Sequence, residues 1–126
     1  LRLMFNEKPN NEKEVQDNLE RLFIGNNMNK GVDYDRETGK FNFSGREYIP
    51  DFIFPNLKCC LETKLLKETS KKSKMIEEIN ADITAYTKVY NEIIFLVYDI
   101  GVIPDVLEFK RDIENSGNVK VIVVKH

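Results

Sequence analysis

Histidine is almost absent from this chain. Its 126 residues contain one, His126, at the last position. Serine and cysteine triads that use histidine as their base are therefore excluded, as are zinc sites built on histidine clusters. Cysteine is nearly as scarce, and the two present, Cys59 and Cys60, are neighbours. Adjacent strand residues point to opposite faces and a vicinal disulfide would be strained, so the pair reads as reduced apolar filler of a strand in the cytoplasm. No apolar run approaches the ~20 residues of a membrane-spanning helix. The opening Leu1-Arg2-Leu3-Met4-Phe5-Asn6 turns polar too soon for a signal peptide. A cytoplasmic chain with no membrane partner is expected. A strong charge of one sign is missing too: the net charge is −2 and the isoelectric point is near 5.5. Bulk electrostatics alone would not hold nucleic acid to such a chain. Carboxylates, lysines, tyrosines and a metal ion taken from solution remain for catalysis.

What is present is an ordinary globular balance, 41% hydrophobic and 32% charged, which argues against disorder. The apolar spacing of Val15, Leu19, Leu22 and Phe23 predicts a helix over residues 12–24, with Asn10 or Asn11 as its N-cap and Gly25 as its stop. After a polar loop at 26–31, a turn at Glu37-Thr38-Gly39 leads into a short strand at 40–43. Ser44-Gly45 turns the chain into a strand at 48–54, and Pro55-Asn56 into another at 58–66. The last is dense enough in apolar residues for a central position. A second helix is expected over 69–90, burying Ile76, Ile79, Ile83, Tyr86 and Tyr90, with Thr69, Ser70 or Ser73 as its cap. Residues 92–100 form a near-continuous apolar strand, 105–114 a short helix, Ser116-Gly117 a break and 119–124 a final strand. The order α-β-β-β-α-β-α-β is that of an α/β domain with a mixed sheet. The apolar edge at 119–124 suits either its own sheet or a partner chain in a homodimer.

The informative stretch is Pro50-Asp51, then ten residues, then Glu62-Thr63-Lys64. Asp51 lies on one strand, and the turn at Pro55-Asn56 brings the next strand back beside it. Glu62 and Lys64, two apart, leave that strand on one face. Two carboxylates and an ammonium thus converge inside an apolar hairpin, a costly arrangement unless partners or a cation offset it. Paired carboxylates suit a hard divalent cation such as Mg²⁺ or Mn²⁺. A lysine beside it can orient an attacking water and stabilise charge on a phosphoryl group. Competing structural roles exist: Asp51 as a turn cap, Glu62 and Lys64 as a surface pair, Tyr86 as core and Asp82 as a solvated residue. A second match, Pro104-Asp105 with Glu108-Phe109-Lys110, leaves too few residues for a hairpin, lies in a helical pattern and is a decoy. Lys58, Lys64, Lys67, Lys71, Lys72 and Lys74 crowd one stretch, either as a solvated face or as a rim for phosphates.

The stretch Pro50-Asp51…Glu62-Thr63-Lys64 resembles the signature of the PD-(D/E)xK nuclease superfamily, and the elements over roughly residues 11–100 resemble its αβββαβ restriction-endonuclease-like core. The second helix and the strand after it are similar to a branch found in bacterial restriction and defence proteins. The resemblance implies a metal-dependent endonuclease that hydrolyses DNA and leaves a 5′-phosphate and a 3′-hydroxyl. It makes Asp51 and Glu62 ligands of Mg²⁺ (or Mn²⁺), with the Thr63 carbonyl as a further ligand and Lys64 positioning the water. It also implies a first-helix acid, for which Glu12 is the first choice and Glu14 the reserve, although a first-turn glutamate also serves the helix dipole. Gln16, Asp82 and Tyr86 take supporting places, and Lys67, Lys71, Lys72 and Lys74 become contacts to the DNA backbone. Residues 1–126 are expected to be one nuclease-like domain, a C-terminal fragment of a longer protein. Other domains of that polypeptide, or a second protomer, would supply most of the DNA affinity. The alternatives are a catalytically silent binding or assembly module of the same fold and a nuclease acting on RNA or branched DNA.

Overall fold

The computed structural model describes residues 7–115 and 117–126; the opening hexapeptide and the Ser116 half of the expected break lie outside the described residues. The first helix, α1 (Glu12–Gly25), starts at Asn11, whose side chain accepts the Glu14 N–H at 2.9 Å. Glu14 accepts the Asn10 N–H at 2.7 Å, so this acid serves the cap. The helix runs through Gly25 and ends one residue later than expected, at Asn26, whose N–H finds the carbonyls of Leu22 and Phe23.

A five-stranded sheet follows, in the order β1 (Asp35–Arg36), β4 (Phe52–Phe54), β5 (Cys59–Leu66), β6 (Glu92–Asp99), β7 (Val119–Lys125). β1, β4 and β5 are antiparallel neighbours, while β5, β6 and β7 run parallel. The sheet is therefore mixed, and its apolar central strands are covered on both faces. On one side α1 packs Val15 and Leu19 on Phe52, Leu61, Leu96 and Tyr98. On the other, α2 (Lys72–Tyr86) and α3 (Val106–Glu114) pack Ile79, Ile83 and Phe109 on Cys60, Leu66, Phe95 and Val97. This is the expected α/β class, and the arrangement agrees with a restriction-endonuclease-like fold. None of the described helices is long and apolar enough to cross a membrane.

Three expectations need correction. The strand placed at 48–54 is two strands: β3 (Arg46–Tyr48) pairs with β2 (Phe41–Phe43) in a separate hairpin, and β4 pairs with β5. Pro50 lies at the crossing between sheets, where its missing N–H forbids a continuous ladder. The second helix is shorter than 69–90. It begins at Lys72 after a single 3₁₀ turn at Thr69–Lys71, with no side-chain cap, and ends at Tyr86. Its buried stripe takes in Met75 and Ala85, while Ile76 is only partly buried. Tyr90 lies beyond the helix, its hydroxyl donating to the Gly39 carbonyl at 3.3 Å. Finally, β1 was not expected, since two residues carry no periodic signal.

β7 docks beside β6 in its own sheet. The decoy Asp105 is the N-cap of α3 and accepts the Glu108 N–H at 3.0 Å. Both cysteines are free and buried, and burial raises both thiols, so neither is a nucleophile at neutral pH.

β4 is held by Phe52, which is fully buried and meets the Phe23 ring edge-on at 5.3 Å between centroids. Phe52→Ala should destabilise the protein by about 3–5 kcal/mol, read as a lowered urea midpoint at unchanged slope.

Candidate active site

β4 has three residues and β5 has eight, so β5 runs on past the end of its partner. Phe52 faces Leu61 in the ladder, which makes Asp51 and Glu62 the next pair. Beyond it the N–H groups of Thr63 and Leu65 have no strand to bond. Carboxylates take them: Asp51 Oδ2 accepts the Thr63 N–H at 2.8 Å, and Glu12 Oε2 accepts the Leu65 N–H at 3.3 Å. Asp51 in turn donates its own N–H to Glu62 Oε1 at 3.0 Å. The Thr63 carbonyl leaves β5 on the same edge as its N–H, toward this gap.

Strand alternation divides β5 between two layers. Thr63 faces α1, where Gln16 Nε2 donates to its hydroxyl at 3.2 Å. Glu62 and Lys64 face α2 together, as expected. Lys64 Nζ is 3.8 Å from Glu62, 3.7 Å from Glu78 and 3.3 Å from Asp82, with the lysine side chain only 9% exposed. Asp82 is not a solvated residue: it faces Lys64, and its buried Oδ2 has no well-aligned hydrogen bond among the described residues. Tyr86 is both core and site, since its hydroxyl donates to Glu62 Oε1 at 3.4 Å. Glu12 stands at the exposed rim.

The charges do not balance. One buried ammonium faces Glu62, Glu78 and Asp82, with Asp51 and Glu12 close by. Burial first, and then the Asp51 charge, push the Glu62 carboxyl up to about 9. Burial also raises Asp51, against the two Thr63 hydrogen bonds and Lys64, and it raises Asp82 against Lys64. Burial alone would depress Lys64, but Asp82, Glu62 and Glu12 outweigh it and leave the amine above its ordinary value. Lys64 is therefore an ammonium donor at neutral pH. Burial and then the Glu62 charge raise the Tyr86 phenol, which stays protonated and donates.

Such a surplus of buried negative charge suits a cation. Among the described residues no group of three or more His, Cys, Asp or Glu side chains is gathered tightly enough to enclose a metal. Mg²⁺ keeps several waters and binds through as few as one or two carboxylates. Asp51, Glu62 and the Thr63 carbonyl are the residues that would hold it.

The lysine run is divided among several places. Lys71 and Lys74 line a cleft beside the site, together with Glu12, Leu65, Met75 and Glu78. Lys67 donates to the Asn10 carbonyl and so ties β5 to the start of α1. Lys72 lies in another groove, with Asn80, Asp105 and Glu108 between α2 and α3. Two residues at or near the site were not among the expected site residues. Glu78, one helical turn before Asp82 on α2, stands 3.7 Å from Lys64 Nζ. Arg36, which donates to Gln16 Oε1 at 3.1 Å and pairs with Asp17 and Glu20, carried no signal at all.

Compared with known proteins, residues 8–126 match the family model DpnII-MboI, described as REase_DpnII-MboI. No curated protein and no solved structure matches the chain.

A carboxyl whose pKa is higher folded than unfolded stabilises the fold only while protonated, so stability falls as pH rises from its unfolded value toward its folded one. For Glu62 that window runs from 4.5 to about 9. Without divalent cations, the unfolding midpoint should drop by about 4 °C or more across this range. Glu62→Gln should flatten the decline, leaving the smaller contributions of Asp51 and Asp82; an equal decline in both proteins would contradict the assignment.

Proposed function

The chain belongs to the DpnII-MboI restriction endonuclease family, a family of DNA-cleaving hydrolases, and on that premise we propose that it is a Mg²⁺- or Mn²⁺-dependent endonuclease of the PD-(D/E)xK type, acting in defence against phage in the cytoplasm. The observation that carries this reading is the single ammonium of Lys64 set among buried carboxylates that outnumber it. Asp51, Glu62 and the Thr63 carbonyl would hold the ion, with Glu12 in support at the rim. Bound there, a divalent cation supplies the missing positive charge and polarises a phosphoryl oxygen.

The remaining work falls to the chain. Lys64 is held charged chiefly by Asp82, with Glu62 and Glu12, so it acts as a hydrogen-bond donor that orients the attacking water and meets charge developing on the phosphate. Tyr86 fixes Glu62 Oε1 from the α2 side, while the Asp51 N–H fixes the same oxygen from β4. Lys71 and Lys74, which line the adjoining cleft, would meet neighbouring backbone phosphates. The products are a 5′-phosphate and a 3′-hydroxyl. With a net charge of −2, the chain draws most of its DNA affinity from further domains or a second protomer.

Plasmid DNA incubated with the protein should be nicked and linearised with Mg²⁺ or Mn²⁺ and left intact with EDTA. Lys64→Ala should lower the rate by about 100-fold or more while leaving Mn²⁺ binding in place. Cleavage in EDTA would remove the metal-dependent reading. Undiminished cleavage by Lys64→Ala would remove Lys64 from it; metal binding without cleavage would mean an intact site awaiting its further domains or an activator, and neither binding nor cleavage would favour the silent module.

A further inference from the structure

Arg36 lies apart from the site yet is joined to it by consecutive hydrogen bonds. Its Nη2 donates to Gln16 Oε1 at 3.1 Å, Gln16 Nε2 donates to Thr63 Oγ1 at 3.2 Å, and Thr63 Oγ1 donates to Asp51 Oδ2 at 2.8 Å. The middle of this chain is closed to water, with Gln16 7% and Thr63 1% exposed.

The direction of each bond follows from the one before. A guanidinium can only donate, so the Gln16 oxygen must face Arg36 and its NH₂ must face Thr63. A hydroxyl that accepts a donor has its one proton left for another partner, and the acceptor within reach is Asp51 Oδ2. The Thr63 N–H already bonds that same oxygen at 2.8 Å. Oδ2 is thus held twice, while Oδ1 carries no hydrogen bond from the described residues. The charged end of the chain is itself fixed. Arg36 Nη1 lies 2.8 Å from Asp17 and 3.1 Å from Glu20, and the guanidinium rests over the Phe52 ring at 5.8 Å.

We propose that Arg36 is a positioning residue for the Asp51 carboxylate: acting through Gln16 and Thr63, it sets which oxygen Asp51 presents to the divalent cation. This rests on the reading of Asp51 as a ligand. The positive end also has a reason for its distance. A guanidinium beside Asp51 would compete with the cation, whereas one at the end of a neutral relay orders the carboxylate without adding a competing charge.

The test is calorimetric titration of the whole chain with Mn²⁺. Gln16→Glu preserves shape but replaces the donor facing Thr63 with an acceptor, which turns the hydroxyl away from Asp51. Its Kd for Mn²⁺ should rise by about fivefold or more, the equivalent of one hydrogen bond. The added negative charge alone would tighten binding, so an unchanged or lower Kd overturns the proposal. Thr63→Val should show the same loss and Thr63→Ser should recover it. Arg36→Met should weaken binding too, and adding it to Thr63→Val should cost nothing more. Additive losses overturn the relay, and the Thr63 pair decides the matter if Arg36→Met does not fold. If the unaltered protein takes up no Mn²⁺, the reading of Asp51 as a ligand fails and the proposal falls with it. If it binds Mn²⁺ and the variants bind equally well, the relay alone fails.

Discussion

Like charges crowded in a partly dry interior govern this structure. Asp51, Glu62 and Asp82 are withdrawn from solvent around the one ammonium of Lys64, and burial works against the charged form of every one of them. A fold that only sought stability would place aliphatic residues at these positions of a central strand. Here the surrounding elements hold the charges in place: Tyr86 from α2, Thr63 from β5, and the backbone of Asp51 itself. The resulting shortage of positive charge is the feature on which the proposed divalent-cation site rests.

β5 can assemble such a cluster because it outruns its neighbour. Where β4 ends, the strand retains its ladder to β6 on one edge and offers free backbone donors on the other. Asp51 and Glu12 arrive at that open edge from different directions, one through Pro50 and the other from the first turn of α1. Alternation along β5 then assigns the work: Thr63 turns to the Gln16 side and Glu62 and Lys64 turn to the α2 side. The cluster therefore needs both helical layers, and the orphaned ladder donors are satisfied by carboxylates of the candidate site itself.

Much of this was legible beforehand where physics acts locally. α1, β5 and β6 announce themselves by long apolar periods, and Asp51, Glu62 and Lys64 by charges set where aliphatic residues belong. The decoy at Asp105 was separable because a helix cap needs no hairpin. Expectation failed where the decision was tertiary. A strand through 48–54 has the right residues, but Pro50 passes the chain from one sheet to another. Tyr90 has helical spacing from Tyr86, yet it leaves the helix to reach Gly39. Lys67 looked like part of one basic rim, but the fold uses it to hold the start of α1. Arg36 was invisible because its meaning depends on Gln16, twenty residues away and on another element.

The central claim is that the carboxylate cluster is a cation site that holds a proton when metal-free. Titrating Mn²⁺ into the protein near pH 7.5, in buffers of different ionisation enthalpy, measures the protons exchanged on binding. With Glu62 raised to about 9, binding should release about one proton per ion at that pH. Binding with no proton release, or no binding at all, would contradict the account.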